Sequence, residues 1–384
     1  MRIVACEALT GGVTAIEFDG DLVHLAPAAS IPYGHFYLSP GWVDVQVNGF
    51  AGHDINAPEV RPDSVALLAR RLWAEGVAAF YPTVVTASVD HITNCLRNIA
   101  RAIETEPDAR TSILGIHLEG PYLSPAEGTR GAHPAQHIHP PDWDEFSRWQ
   151  EAAGGLIRLA TLAPEQPGAI AFIRRLVQSG VAVAIGHSEA SSDEIAAAVD
   201  AGVNLSTHLG NGIAARLRRH PNPIWDQLAE DRLYASVIFD GQHLPASVMR
   251  VFVRAKGVGR LILTSDAVAL ARMAPGVYET PVGGKVELHA NGRLSLYGSE
   301  ILAGSTSSLK DCVENALRLA GCTPAEAAQM AGVNPLRMLN AAPPDARTLF
   351  RWAPGQSRLT VLATLIAGRA VYRAPELLAF AQGG

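Results

Sequence analysis

The stretch VAVAIGHSEASSDEIAAAVDAGVNLSTHLGNG (181–212) decides how the rest of the chain is read. It opens on a short apolar run, Ala182–His187, that ends in a glycine and a histidine. A serine-led segment, SSDEIAAAVDAG (191–202), follows with apolar residues at helical spacing. A second apolar run, Asn204–Leu209, again closes beside a histidine. Strand, helix and strand within about 30 residues is the pattern of a parallel βαβ unit.

The same pattern extends in both directions. Further strand candidates are Gly41–Asn48, Val77–Thr86, Ser112–Gly120, Leu156–Ala163, Tyr234–Asp240 and Arg260–Asp266. Amphipathic segments such as DSVALLARRLWAEG (63–76) and EQPGAIAFIRRLVQSG (165–180) lie between them. Eight strands alternating with helices predict an α/β fold closed as a (β/α)8 TIM-type barrel. STSSLKDCVENALRLAG (305–321) begins with Ser/Thr capping chemistry and predicts a helix at the closing end.

The two chain ends read differently. TAIEFDG, DLVHL and HFYLS are short strand-like pieces broken by turn residues. SRLTVLATLIAGRAVYRAPEL (357–377) alternates like a hairpin with its turn near Gly368. The expectation is one small β-sandwich-like domain made from residues 1–39 and 350–384, beside a barrel of residues 40–349.

Composition narrows the classes of function. In 384 residues, 48% are apolar and 18% charged, enough to fill a large core. The net charge of −6, with no long basic run, argues against nucleic acid as a partner. Cys6, Cys95, Cys312 and Cys322 have neither disulfide-framework nor zinc-ribbon spacing. No signal-peptide pattern and no membrane-length apolar run is evident, so a soluble cytoplasmic protein without a membrane partner is expected.

In a (β/α)8 barrel, chemistry sits at the C-terminal ends of the strands. Here the third predicted strand ends in IHLEGPY with Glu119, the fifth in AIGHSEA with His187, and the sixth in STHLGNG with His208. The seventh runs into DGQH with Asp240 and His243, and the eighth ends in LTSDA with Asp266. A lone histidine after an apolar strand is more often a hydrogen-bonded structural residue, and a lone aspartate often caps the next helix. Together, one carboxylate and two imidazoles at one mouth suit a divalent ion, Zn²⁺ or Fe²⁺. Asp266 could then take a proton from an attacking water and pass it to a departing amine.

At these residues the chain resembles the amidohydrolase superfamily, and within it the N-acetylglucosamine-6-phosphate deacetylase family. The resemblance runs over residues 38–345 and is carried by PGWVDVQVNG (40–49), HLEGPYLSPAEGTRGAH (117–133), GHSEAS (186–191), STHLGNG (206–212), DGQH (240–243), TSDA (264–267) and AGSTSSL (303–309). It implies one divalent metal ion on Glu119, His187 and His208, with Asp266 as the catalytic aspartate. His133, His243, Asn211 and Gly212 fall on substrate-contacting positions. Gln46 and Asn48 stand where many amidohydrolases hold a second metal through a His-x-His pair, so a mononuclear site is expected.

The activity implied is hydrolysis of N-acetyl-D-glucosamine 6-phosphate to glucosamine 6-phosphate and acetate, a step of amino sugar metabolism. A homodimer is implied too, because an arginine segment after the sixth strand reaches the sugar phosphate across the interface in that family. Here the segment supplies Arg216, Arg218, Arg219 and His220, with Arg219 the candidate substrate-binding residue, but not in the family's arrangement. Arginine suits bidentate phosphate recognition, yet such a loop can equally be a solvated surface. Two other readings therefore remain: deacylation of another N-acetyl sugar or N-acyl amino acid without a phosphate, and a non-catalytic sugar-binding barrel.

Overall fold

The structure is a computed structural model that describes residues 1–29, 35–281 and 283–377. The ends of the expected small domain at 378–384, and its residues 30–34, lie outside the described residues.

Four strands open the chain: β1 (Arg2–Glu7), β2 (Val13–Asp19), β3 (Leu22–Pro27) and β4 (Phe36–Pro40). Eight parallel strands follow: β5 (Trp42–Val47), β6 (Val77–Val85), β7 (Ile116–Glu119), β8 (Ile157–Leu162), β9 (Ala182–Ile185), β10 (Leu205–Ser206), β11 (Tyr234–Val237) and β12 (Leu261–Leu263). They pair in sequential order from β5 to β12, each beside its chain neighbour. Each of the eight predicted strand segments contains one of them.

Closure between β5 and β12 is made by a parallel bridge from Val47 to Ala267 and by the buried Asp44. Asp44 Oδ1 accepts the Thr264 hydroxyl at 2.8 Å and the Ser265 backbone N–H at 3.1 Å. A carboxylate in a core is costly unless donors surround it. Here its two shorter hydrogen bonds come from the opposite side of the seam, so its burial is tied to closure.

The helices form because each presents one apolar face and carries start signals. Helix Pro62–Ala74 has proline in its first turn, where no N–H is missed, and buries Val65, Leu68, Ala69 and Leu72. Helix Ser192–Asp200 is opened by a reciprocal capping box between Ser191 and Glu194. The helix expected over 305–321 begins later, at Leu309, and winds into a wider π-helical turn over Ala316–Ala320. Its first residues do other work: Ser305 bridges in parallel to Ala267, leaving Ser308 and Asp311 to form the cap.

Two further β-structures complete the chain. Strands β13 (Gly276–Thr280), β14 (Gly284–Leu288) and β15 (Leu294–Leu296) form an antiparallel sheet after β12 that the strand pattern above did not anticipate. The Asn291–Gly292 pair in its second connection is a hairpin signal that could have revealed it. Strands β16 (Ala346–Arg351), β17 (Thr360–Ile366) and β18 (Arg369–Arg373) return to the N-terminal strands and close a barrel in the order β1-β2-β3-β18-β17-β16-β4. The hairpin turn falls at Ala367–Gly368, both in the left-handed region. Among the described residues no helix is long and apolar enough to cross a membrane.

Candidate active site

The C-terminal ends of the eight parallel strands open into a cavity of about 870 Å³. Glu119, at the end of β7, is buried there with a single oxygen at the centre of the contacts. Its Oε1 lies 3.0 Å from His208 Nε2 and 3.4 Å from His187 Nε2. Those histidines follow β10 and β9. Their backbones sit in the left-handed region, with φ of 31° at His208 and 49° at His187. Asp266 after β12 shares it at 49°. Non-glycine residues rarely adopt this conformation, and such strain gathers where structure is held for function. In each case the turn swings a polar side chain from the strand's end into the mouth.

The second partners of the rings decide which nitrogen faces inward. His187 Nδ1 lies 2.9 Å from the Thr129 carbonyl, a contact that turns Nε2 toward Glu119. Gly212 makes room for that ring: its φ is 60°, and a Cβ there would stand 2.8 Å from His187 Nδ1. His133 packs edge-on to His187 with ring centroids 4.4 Å apart, and its Nδ1 lies 2.9 Å from the Thr86 hydroxyl. The ligand-capable atoms of Glu119, His133 and His187 all lie within 4.8 Å of one another. His208 Nδ1 is buried without a partner.

Opposite this cluster, two amides hold Asp266. Asn48 Nδ2 donates to Asp266 Oδ1 at 2.7 Å. Gln46 Nε2 lies 3.0 Å from that same oxygen and 3.0 Å from Glu119 Oε1, so its N–H groups stand between two carboxylates. The amides thus put positive hydrogens where two negative groups would otherwise repel, a task the sequence does not reveal. Burial, followed by the charge of Glu119, pushes Asp266 up to about 6. Burial would also raise Glu119, but hydrogen bonds from His187 and His208 outweigh it and hold this carboxyl well below its ordinary range. Burial drives His133 down to about 3, so this imidazole is neutral at pH 7.

The remaining residues fall into two groups. His243, Asn211 and Gly212 line the same cavity. Arg219 does not line it within a single chain; it is exposed, in contact with Asn222 through its backbone carbonyl. Sequence reading also missed part of the wall. Tyr278–Pro281 from β13 and the following turn, together with Leu294 from β15 and Ile301–Gly304, cover one side of the mouth. Asp54, on a two-residue ladder after β5, adds a carboxyl that burial raises to about 6.

A parallel eight-stranded barrel with Glu, His and Asp side chains at its strand ends is the architecture of metal-assisted amide hydrolases. No family model matches the chain. It is 36% identical over 304 residues to the N-acetylgalactosamine-6-phosphate deacetylase of Escherichia coli O157:H7, covering 79% of this chain and 78% of the relative. It is 31% identical over 316 residues to the N-acetylglucosamine-6-phosphate deacetylase of Bacillus subtilis (strain 168), covering 82% and 76%. The solved N-acetyl-D-glucosamine-6-phosphate deacetylase of Mycobacterium smegmatis superposes with a TM-score of 0.84 at 30% identity, over 97% of this chain and 100% of that one. An aspartate-to-alanine mutant of the same enzyme, in complex with N-acetyl-D-glucosamine-6-phosphate, gives 0.84 at 29% identity over 97% and 99%. The chain belongs to the N-acetylglucosamine-6-phosphate deacetylase family of the amidohydrolase superfamily, and it is a hydrolase of amide C–N bonds.

Deacetylases of this superfamily use a divalent metal ion. The donors present fit one: a buried carboxylate and buried imidazoles whose Nε2 atoms converge on it, one ring steered from behind by a carbonyl.

Proposed function

We propose that the enzyme hydrolyses the acetamide of N-acetyl-D-glucosamine 6-phosphate, releasing acetate and glucosamine 6-phosphate. The observation that carries this reading is Asp266, held by Asn48 and Gln46 across one cavity from the Glu119, His187 and His208 cluster. Glu119, His187 and His208 are the proposed ligands of one divalent ion, Zn²⁺ or Fe²⁺. His133, within the same cluster, is available either as a further ligand or as a donor to the amide carbonyl. The bound ion would supply Lewis acidity and an activated water.

The chain's own residues carry the proton chemistry. Asp266 Oδ1 takes both amide hydrogen bonds, which leaves Oδ2 for proton transfer. In this proposal it accepts the proton of the attacking water and delivers it to the nitrogen as the C–N bond breaks, leaving an amine. A carboxyl raised to about 6 is well matched to taking and returning a proton near neutrality. Gln46 and Asn48 occupy the side where a second ion would sit, which favours a mononuclear site.

Among the described residues no lysine or arginine lines the cavity. Arg216, Arg218 and Arg219 lie in an exposed segment after β10. A cytoplasmic homodimer, in which that segment of one copy reaches the phosphate of the other's substrate, accounts for both facts. A second substrate reading has its own support. The relative at 36% identity is named for the galactosamine epimer, so N-acetyl-D-galactosamine 6-phosphate is the competing substrate. Acetate release from the two phosphorylated epimers and their unphosphorylated counterparts, with metal-loaded enzyme, separates the readings. Faster turnover of an unphosphorylated sugar would refute the phosphate requirement.

A further inference from the structure

Glu165 follows β8 and has no part in the proton chemistry. Its side chain is half-buried, and both of its oxygens are engaged by the turn that comes after β9. Oε2 accepts the Ser188 hydroxyl at 2.7 Å, and Oε1 accepts the Glu189 backbone N–H at 2.7 Å. These are the two residues that follow His187. Ser188 Oγ in turn accepts the Ala190 backbone N–H at 3.0 Å. Neither Glu165 nor Ser188 lines the cavity.

The turn needs such a hold. His187 has a φ of 49°, a conformation that a non-glycine residue keeps only when its surroundings impose it. Backbone bonds fix part of it: Ser124 N–H donates to the His187 carbonyl at 2.9 Å, and Ser188 N–H to the Gly212 carbonyl at 3.2 Å. Glu165 adds a two-armed clamp on consecutive residues, the hydroxyl of one and the N–H of the next. The same device recurs at Asp266, also at a φ of 49°, where Asp44 takes the Thr264 hydroxyl and the Ser265 N–H just ahead of it. In both places the carboxylate comes from the neighbouring strand and the clamped pair adjoins a left-handed residue of the site. A ligand's hold on a metal depends on the outer partners that fix its orientation. For His187, the Thr129 carbonyl serves the ring and Glu165 serves the backbone that carries it.

We propose that Glu165 is a positioning residue for metal binding: its carboxylate clamps Ser188 and Glu189 and so keeps the His187 imidazole facing Glu119. This rests on His187 as a metal ligand, as assigned in the preceding subsection. His187 Nε2 lies 3.4 Å from Glu119 Oε1, so a relaxed turn would carry it away from the cluster and loosen the metal without touching the sugar.

The test measures the zinc dissociation constant by competition with a chromophoric chelator, alongside KM for the amino sugar at saturating zinc. Glu165→Ala should weaken zinc binding about tenfold and leave KM unchanged. Glu165→Gln should restore the wild-type constant, since its amide can accept the Glu189 N–H and donate to Ser188 Oγ. Unchanged zinc affinity in Glu165→Ala, or a Glu165→Gln variant as weak as the alanine one, overturns the proposal. Leu362→Ala, remote from the site, should lose stability with zinc affinity intact. Equal weakening there would mark the effect as general destabilisation and overturn the proposal too. Should Glu165→Ala fail to fold, Ser188→Ala removes one arm of the clamp, and undiminished zinc affinity in that variant overturns it. His187→Ala is read first: zinc bound as tightly as by the wild type refutes the ligand assignment itself. A loss there with none in Glu165→Ala refutes only the role of Glu165.

Discussion

One chain closes two β-barrels whose interiors are opposites. The small barrel, antiparallel except where β1 meets β4, is filled by Ile3, Ile16, Phe18, Leu38, Leu349 and Leu362, among other apolar residues. The large parallel barrel buries Asp44, Gln46, His117, Glu119 and Thr161, with Asp266 at its mouth. The small one follows the inexpensive rule of burying hydrocarbon. The large one tolerates desolvated charge and left-handed backbone at His187, His208 and Asp266, each conformation costing about 1 kcal/mol or more. Closure removes exposed strand edges in both. What differs is what the strand ends must hold, so catalytic cost is confined to one end of one barrel.

Asp266→Asn tests this division most severely. The amide keeps the shape but cannot accept the water's proton, so kcat should fall by about a thousandfold. Metal content and the melting temperature should change little. Full activity with metal bound would remove Asp266 from the proton path.

Leu362→Ala in the small barrel should do the reverse. A fully buried leucine lost from a packed core costs about 2–5 kcal/mol of stability. At a temperature where the protein stays folded, kcat/KM should be unchanged. A matching loss of kcat would show that the two barrels are coupled.

Asp44→Asn sharpens the comparison through pH. Burial raises this carboxyl to about 6 in the fold, above the value near 3.9 expected of an unfolded chain. The folded state thus prefers the protonated form. The resulting stabilisation is complete below about pH 4 and is lost as pH rises through about 6, at most about 3 kcal/mol. The variant's stability, from denaturant melts between pH 4 and 7, should vary less than that of the wild type. Identical slopes would show that Asp44 titrates normally. The smallest effect is expected at Ser191→Ala, which breaks the capping box and should cost about 1 kcal/mol without altering turnover.

Much of the large barrel could be read in advance because its signals are local. Each strand is a short apolar run with a polar end, and each helix has its own cap and stripe. Glu119, His187, His208 and Asp266 stood out for the same reason, as polar residues ending apolar runs. The sheet of β13–β15 carries a weaker signal: Asn291–Gly292 marks a hairpin, but strand Gly276–Thr280 buries no residue and so shows no apolar run. The roles of Gln46 and Asn48 were invisible for a different reason. Each lies about 70 residues or more from the carboxylates it contacts, and sequence spacing carries no record of such pairings.

By itself the sequence determined the alternation of elements, the class of barrel and the side chains delivered to its mouth. Periodicity and strand-end chemistry depend on neighbours a few residues apart, which is what a linear pattern records. Only the tertiary structure decided which nitrogen of each histidine faces inward, that two amides bridge the Glu119 and Asp266 carboxylates, and that Glu165 clamps the turn after His187. It also decided that Arg219 stays outside its own chain's cavity. These outcomes depend on where distant strand ends meet once the barrel closes, and closure is a property of the whole sheet.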